Sequence, residues 1–217
     1  MGAVKIAYLS LAEAGAFLDA AQGDDLEYLY TVALHVGARR GELLALCWSD
    51  VNEANLRIRR SVFRADGRTQ FKGTKADEER EVSLTAPMVR ALAAQRDQQE
   101  FTRKKAGPLW QAAPWDVAWP RDLIFTNATG GPLDLTGVTK GFKRILAKAR
   151  IDRPEIHLHS ARHTVGSLVF QATHDLKIAA AMLGHKQVAT TEKYYADTSD
   201  EATRAASDEY GQALAGC

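Results

Sequence analysis

The sequence predicts a mostly helical α+β domain, and three observations lead to this fold class. Apolar residues recur at helical spacing along most of the chain, and several of these segments begin with a helix-capping pattern. One short stretch near residue 60 alternates between apolar and polar side chains, as strands do. Hydrophobic residues make up 46% and charged residues 25% of the 217 residues, which is ordinary usage for a globular protein.

Two helices are predicted at the N-terminal end. Ser10 and Glu13 form a capping-box pattern ahead of apolar residues at helical spacing. A second helix is expected over about 26–36, because Gly37 is a natural helix stop.

A small antiparallel sheet is predicted between residues 55 and 85. Residues 56–63 roughly alternate and indicate a half-exposed strand. The Asp66-Gly67 pair marks a turn, and residues 81–84 indicate a further short strand. Together these segments predict a sheet of two or three strands.

The C-terminal part of the chain is predicted to be helical. Thr85 is predicted to cap a helix that has Pro87 in its first turn and runs to about Lys105. Residues 106–123 contain three prolines and three tryptophans and indicate a loop with aromatic anchors packed on the surface. Further helices are predicted at about 136–150, 160–172, 175–183, 190–196 and 199–214.

Charge is unevenly distributed, although the net charge is only +1. Residues 57–105 hold 13 Lys and Arg against 7 Asp and Glu, and residues 140–153 hold six basic residues against one acidic residue. From residue 192 onward, six acidic residues stand against two basic ones. The basic stretches indicate either a face that binds nucleic acid or an ordinary solvated helix surface.

Several classes of protein are disfavoured by the composition. No run of 18 apolar residues exists, so we expect no membrane-spanning helix. Cys47 and Cys217 are too few for a disulfide scaffold or a four-thiolate zinc site. The N-terminus lacks the features of a secretory signal, and we expect a reducing, cytoplasmic location.

Two stretches place basic side chains in positions suited to an anionic ligand. Residues 37–43 form a break between two apolar segments, where Arg39 can offer a fork of donors and Glu42 can support it. Residues 73–80 place Lys75 in the turn of the small sheet, from which it can reach a bound substrate. Taken alone, the arginine stretch is better explained as an ordinary surface pair after a helix end, and a charged hairpin tip that keeps the protein soluble is common.

A third stretch combines histidine and arginine. His159 and Arg162 are three residues apart, so they share one face of a helix. A metal site using His157, His159 and His163 is the alternative, but neither paired cysteines nor an H-E-x-x-H helix support it.

The fourth stretch, residues 183–195, has His185 after a glycine break and Tyr194 nine residues later. A single tyrosine of this kind is usually half-buried packing with its hydroxyl satisfied. The order of all four stretches along the chain is more specific than any one of them.

In this order the motifs resemble those of the tyrosine recombinases, particularly the phage-type integrases. That family shows an Arg in G-x-R-x-(G/S)-E, a hairpin Lys, H-x-x-R, L-G-H and a Tyr after T-T-x-x. The spacing favours Arg39 over Arg40 and Tyr194 over Tyr195. The resemblance implies six catalytic residues: Arg39, Lys75, His159, Arg162, His185 and the nucleophile Tyr194.

The resemblance also implies a reaction. Tyr194 would attack the scissile phosphate and form a 3′-phosphotyrosine, while His159 accepts or assists its proton. Arg39 and Arg162 would hold the two non-bridging oxygens, Lys75 would protonate the leaving 5′-oxygen, and His185 would donate a further hydrogen bond. No metal, ATP or other cofactor is implied.

The implied partner is double-stranded DNA, with a homotetramer on DNA and a monomer in free solution. Residues 1–198 are expected to form the catalytic domain, with its small three-stranded sheet, and 199–217 a tail helix. That helix would dock either on a neighbouring protomer or in cis. The expected location is the cytoplasm, associated with the nucleoid when DNA is bound. The residues expected to contact DNA are Arg57, Arg59, Lys72, Lys140, Lys143 and Arg144.

Family members usually carry an N-terminal core-binding domain, which we expect to be absent from this chain. For that reason we expect the DNA affinity of this chain alone to be weak.

Two alternatives to site-specific recombination remain. One is a catalytically silent DNA-binding or regulatory module, and the other is strand relaxation like that of a type IB topoisomerase.

Overall fold

The computed structural model describes residues 7–73, 79–111 and 120–184, and these contain helices and a small number of short strands. Their order agrees with the α+β class that the sequence predicts. Within the described residues the α-helices are α1 (Leu11–Ala21), α2 (Glu27–Val36), α3 (Arg40–Leu43), α4 (Ala86–Ala106), α5 (Leu135–Lys148), α6 (Leu158–Thr173) and α7 (Leu176–Leu183). The strands are β1 (Asn55–Ile58), β2 (Arg60–Ala65), β3 (Arg68–Gly73) and β4 (Arg80–Ser83).

Helix starts follow local capping chemistry. The predicted capping box of α1 is confirmed, because Ser10 Oγ accepts from the Glu13 backbone N–H at 3.2 Å and the Glu13 carboxylate accepts from the Ser10 N–H at 2.7 Å. Helix α5 begins after Asp134, whose Oδ2 accepts from the Gly137 N–H at 2.7 Å. Helix α4 begins directly after Thr85 as predicted, although the Thr85 side chain makes no capping hydrogen bond.

The predicted antiparallel strands are confirmed, but they do not form the single three-stranded sheet that was expected. Antiparallel pairs form between β1 and β4 and between β2 and β3, so the described residues contain two two-stranded ladders. The predicted strand over residues 56–63 is two strands that separate at Arg59. Arg59 and Arg60 both turn toward the buried Asp50 carboxylate, at 2.5 and 2.6 Å, and the chain changes its pairing partner there. The turn at Asp66-Gly67 is confirmed, with both residues at positive φ.

An aromatic cluster joins three helices in the core. Phe17 of α1, Tyr30 of α2 and Phe142 of α5 are buried, and the ring centroid of Phe17 lies 5.5 Å from that of Tyr30 and 4.6 Å from that of Phe142. Helix α6 packs on α2 and on α7. This arrangement brings the C-terminal ends of α2 and α7 to the N-terminal half of α6.

The tryptophan-containing loop is anchored where it is described. A Cβ at Gly130 would lie 2.6 Å from Cε2 of Trp110, so that ring packs directly on backbone, as predicted for an aromatic anchor. Trp115 and Trp119 lie outside the described residues, as do the helices predicted over 190–196 and 199–214. In residues 7–73, 79–111 and 120–184, no helix is both long and apolar enough to cross a bilayer.

Candidate active site

The site is organised around the turn that follows α2. Gly37 ends the helix in the left-handed region, with φ of 60°. A Cβ at this position would lie 2.7 Å from Cδ2 of Leu183 and 3.2 Å from Cβ of Val165, so glycine lets the turn lie against α6 and α7. The turn thereby carries the next residues to the start of α6.

Arg39 is held by a buried carboxylate. Its Nη1 donates to Oε1 of Glu42 at 2.8 Å, and its backbone N–H donates to Oε2 at 3.0 Å. The Glu42 side chain is 2% exposed, whereas 45% of the Arg39 side chain is exposed. Glu42 therefore holds both the backbone and the guanidinium of Arg39, while nearly half of the Arg39 side chain stays exposed.

A second arginine completes the pairing of Glu42. Arg80 Nη2 donates to Glu42 Oε2 at 2.9 Å, and the Arg80 side chain is 8% exposed. Burial alone would raise the pKa of Glu42, but the charge and hydrogen bond of Arg80, with the donors of Arg39, lower it below 4.5. Arg80 ends the stretch 73–80 that was selected for Lys75, but no role was predicted for it, because three acidic residues precede it and it resembles an ordinary surface charge.

Arg162 is buried between two helix ends. Its Nη1 donates to the Gly37 carbonyl oxygen at 2.8 Å, and its Nη2 donates to the Leu183 carbonyl oxygen at 2.5 Å. The residue is 3% exposed. A cation at the C-terminal ends of α2 and α7 is favoured by both helix dipoles. Arg162 therefore reaches the same turn that presents Arg39.

His159 lies one turn before Arg162 on α6, at the surface. Partial desolvation of the imidazole, followed by the positive charge of Arg162, lowers the pKa of His159 below its ordinary value of 6.5. Arg39 and Arg40 act in the same direction. The ring packs edge-to-face on His163, with centroids 5.0 Å apart. A lowered pKa keeps His159 neutral at pH 7, which is the form that accepts a proton.

Arg40 is directed elsewhere. Its Nη1 donates to Thr139 Oγ1 on α5 at 3.0 Å. Between the two arginines and Glu42, Gly41 brings α3 against β2, because a Cβ there would collide with the Val62 carbonyl oxygen. Arg39 and Arg40 thus have different partners, and the choice of Arg39 as the catalytic arginine stays a prediction.

All three arginines expected to contact DNA have carboxylate partners within the chain. The pairs are Arg57 with Glu79 at 2.7 Å, Arg59 with Asp50 at 2.5 Å, and Arg144 with Asp24 at 2.5 Å. The Arg57 and Arg144 side chains keep 50% and 67% of their surface exposed, whereas Arg59 keeps 33%. Arg59 is thus the most buried of the three, and its partner Asp50 is buried as well.

The three lysines expected to contact DNA differ in their surroundings. Lys143 Nζ donates to the Pro154 carbonyl oxygen at 2.5 Å, and Lys72 Nζ lies 5.3 Å from the centroid of the Phe63 ring. Lys140 is exposed on α5. All three remain predictions as DNA contacts.

Three of the six predicted catalytic residues, Lys75, His185 and Tyr194, lie outside the described residues. Arg39, His159 and Arg162 are brought together, although 123 residues separate the two arginines in the sequence. In the described part of the chain, no group of three or more His, Cys, Asp or Glu residues could hold a metal ion.

Chemically, the described site presents the partly exposed guanidinium of Arg39 and a neutral imidazole around one turn, with the buried guanidinium of Arg162 beside them. Guanidinium groups match the paired oxygens of a phosphodiester, and the imidazole can take a proton from a hydroxyl that attacks it. Arg162 and Glu42 are already fixed by buried hydrogen bonds. The arrangement is thus set before a ligand arrives, as electrostatic stabilisation of a charged transition state requires.

Comparison with known proteins identifies the family of this chain. Residues 8–201 match the model of the phage integrase family. The chain is 31% identical over 199 residues to an integrase of Streptomyces ambofaciens, covering 86% of this chain and 48% of that protein. It is 27% identical over 189 residues to a XerC-like tyrosine recombinase of Caldanaerobacter subterraneus subsp. tengcongensis, covering 82% and 46%. The chain thus spans about half the length of these relatives.

The fold is also found among solved structures. The Tn1549 transposon integrase, solved in complex with circular intermediate DNA, superposes with a TM-score of 0.75 at 19% identity, covering 94% of this chain and 67% of that one. The family match extends over most of the chain and includes the turn at Gly37 and both helices that Arg162 joins. The chain belongs to the phage integrase family.

Proposed function

We propose that this chain is the catalytic part of a tyrosine-type site-specific recombinase, which cuts and rejoins DNA through a 3′-phosphotyrosine. The observation that carries the proposal is the convergence of Arg39, His159 and Arg162 at the C-terminal end of α2. Family membership and the order of the remaining motifs support it.

The proposed chemistry begins with the scissile phosphate between Arg39 and Arg162. The Tyr194 hydroxyl oxygen forms a bond to phosphorus, and the bond from phosphorus to the 5′-oxygen breaks. Negative charge grows on the two non-bridging oxygens in the transition state, where the guanidinium donors stabilise it. The products are a 3′-phosphotyrosine and a 5′-hydroxyl.

Proton movements follow from the side chains present. His159, neutral at pH 7, accepts the proton of the attacking phenol, whose ordinary pKa is about 10. Lys75 donates a proton to the departing 5′-oxygen, and His185 donates a hydrogen bond to the phosphate. Attack of another 5′-hydroxyl on the phosphotyrosine reverses these steps, so strand joining needs no ATP.

The proposed partner is double-stranded DNA at a recombination site, consistent with the DNA complex of the Tn1549 integrase. We propose assembly into a homotetramer on that DNA, with residues 199–217 docking on a neighbouring protomer or in cis. Lys140 and the other predicted basic contacts would bind phosphates and give salt-dependent affinity. The proposed location is the cytoplasm.

Covalent trapping tests the proposal. The protein is incubated with a pool of short nicked duplexes with randomised cores, so that a cut releases a short fragment and prevents rejoining. Protein–DNA adducts are isolated under denaturing conditions and their DNA is sequenced to define the site. An adduct at one core sequence is the expected result.

Tyr194→Phe and Tyr195→Phe are the matched controls. An adduct lost only in Tyr194→Phe supports the proposed nucleophile. Loss only in Tyr195→Phe moves the nucleophile by one residue. No adduct with any core, at DNA concentrations that saturate binding, favours a silent DNA-binding module. If the wild type instead relaxes a supercoiled plasmid but never joins two sites, the topoisomerase alternative is favoured.

A further inference from the structure

Arg80 occupies an unusual position for a charged residue at a strand end. It is the first residue of β4, opposite Ile58 of β1, and its side chain is 8% exposed. The guanidinium extends away from the sheet into the space between α3 and the end of α7, where Glu42 and Gly184 lie.

The first contact of Arg80 reaches Arg39 through one carboxylate. Arg80 Nη2 and the Arg39 backbone N–H share Oε2 of Glu42, while Arg39 Nη1 uses Oε1. The carboxylate is 2% exposed, so both of its oxygens are fixed by arginine donors rather than by water. A change at Arg80 therefore frees Glu42 to rotate and loosens the support of Arg39.

The second contact of Arg80 is with the turn after α7. Gly184 has φ of 66°, and a Cβ there would lie 2.6 Å from Arg80 Cδ and 3.1 Å from Arg80 Nε. The arginine stem therefore passes directly against this glycine. The next residue in the sequence is His185, one of the six predicted catalytic residues.

Stability alone is a poor explanation for this arginine. Its Nε and Nη1 are buried and have no hydrogen-bond partner within residues 7–73, 79–111 and 120–184. Buried donors without a partner cost free energy, and apolar residues of similar volume often replace buried ion pairs without loss of stability. The charge of Arg80 is better explained by what it holds in place.

We infer that Arg80 is a positioning residue of the recombination reaction, fixing Glu42 behind Arg39 and supporting the turn at Gly184. This inference rests on the proposed function. Arg80 touches neither substrate nor reacting atoms in this role; it acts through Arg39 and through the backbone that leads to His185.

The test compares Arg80→Met and Arg80→Lys with Arg96→Met. Arg96 is an exposed arginine that stacks on Trp48, 4.4 Å from the ring centroid. Arg96→Met is therefore the same substitution at an arginine that contacts neither Glu42 nor Gly184. Single-turnover cleavage is measured on the trapped core sequence with a phosphodiester or a methylphosphonate at the scissile position. The methylphosphonate lacks the charge that the arginines stabilise.

On the phosphodiester we expect Arg80→Met to cleave roughly 10- to 100-fold more slowly, somewhat less than direct loss of a transition-state donor costs. On the methylphosphonate its deficit should shrink, as it should for Arg39→Ala, while Arg80→Lys keeps an intermediate rate. Arg96→Met should match the wild type on both substrates. An equal deficit of Arg80→Met on both substrates would overturn the inference.

A measurement on the free protein separates this inference from the proposed function. Nitrogen-15 relaxation of the Arg39 Nε–H group is recorded in the wild type and in each Arg80 variant, after thermal unfolding confirms that each is folded. Lower order at Arg39 in Arg80→Met supports the positioning role even if no DNA is cut. Unchanged order at Arg39 contradicts it, and absent cleavage by the wild type contradicts only the proposed function.

Discussion

Glu42 is the carboxylate that pairs with two arginines of the site. It lies between Arg39 and Arg80, and it is the carboxylate that balances the buried Arg80 guanidinium. We expect Glu42→Gln to lower the free energy of unfolding by about 3 to 5 kcal/mol at pH 7, because a buried charge loses its counter-charge. Urea unfolding measures the loss.

Glu79→Gln is the control for Glu42→Gln. Glu79 pairs with Arg57, of which half the side chain is exposed, so its loss should cost about 1 kcal/mol or less. Because the pKa of Glu42 is lowered on folding, its contribution is present above 4.5 and is lost as pH falls through the lower folded value. The two variants should converge in stability in acid, and equal losses at pH 7 would contradict a buried role for Glu42.

His159 should set the acid limb of the cleavage rate. Its pKa is lowered, so the neutral form persists below pH 6.5 and the single-turnover rate should fall only beneath that value. Arg40→Gln removes one of the charges that lower this pKa and should shift the limb toward 6.5. Arg96→Gln should leave the profile unchanged, and an acid limb above pH 6.5 in the wild type would exclude this assignment.

The contact of α3 with β2 depends on a glycine. A Cβ at Gly41 would collide with the Val62 carbonyl oxygen and lie 2.5 Å from Ser61 Oγ. We expect Gly41→Ala to lower the free energy of unfolding by roughly 1 to 3 kcal/mol, since backbone must shift to admit the methyl group. Cleavage should slow as well, because α3 carries Glu42.

Gly15→Ala provides the matched comparison in urea unfolding. Gly15 lies within α1 and a Cβ there would meet nothing within 4 Å. Alanine is the better helix former, so this variant should gain about 0.5 to 1 kcal/mol. If Gly41→Ala raised the free energy of unfolding as Gly15→Ala is expected to do, the close contact of Gly41 with β2 would not limit the side chain there.

The elements show which parts of the fold follow from local sequence. The capping box at Ser10 and the glycine stop at Gly37 involve residues close together in the chain, and both predictions are confirmed. The break at Arg59 was not predicted, because it depends on Asp50 rather than on the alternation of side chains. A tertiary ion pair there overrides strand periodicity.

The candidate site likewise contains residues that local sequence predicts and a contact that it does not. Arg39, His159 and Arg162 were predicted from motif order, which reflects chemistry rather than contact. The inferred positioning role of Arg80 was not predicted, because the burial of Arg80 depends on Glu42, 38 residues earlier, and on Gly184, more than 100 residues later. Such separation leaves no local pattern, and in the sequence Arg80 reads as one charge among several.

Across the whole molecule, the six predicted DNA contacts should differ in salt dependence. Lys140 is exposed, so we expect Lys140→Ala to reduce the slope of log K against log salt by about 0.9, as for one phosphate. Arg59→Ala should instead lower stability by about 1.5 to 3 kcal/mol, since it removes a hydrogen bond to buried Asp50. Salt titrations of DNA binding and urea unfolding of both variants test whether Lys140 contacts DNA and Arg59 stabilises the fold.

A reversed outcome would reassign the two residues. If Arg59→Ala changed the salt slope and left stability intact, its pairing with Asp50 would have to open when DNA binds. If Lys140→Ala left the slope unchanged, α5 would face away from the phosphates.

The burial of Arg162 affects which codons persist when a gene for such a chain loses its function and accumulates mutations. The arginine ties the ends of α2 and α7 through the carbonyls of Gly37 and Leu183, so losing it removes two buried hydrogen bonds together with any role in chemistry. Relic copies that still produce a stable protein should therefore retain this codon after the codon for Tyr194 has drifted. If Tyr194 is the nucleophile as proposed, a genome survey that counts this arginine would overestimate the number of working copies, and the tyrosine would be the better marker.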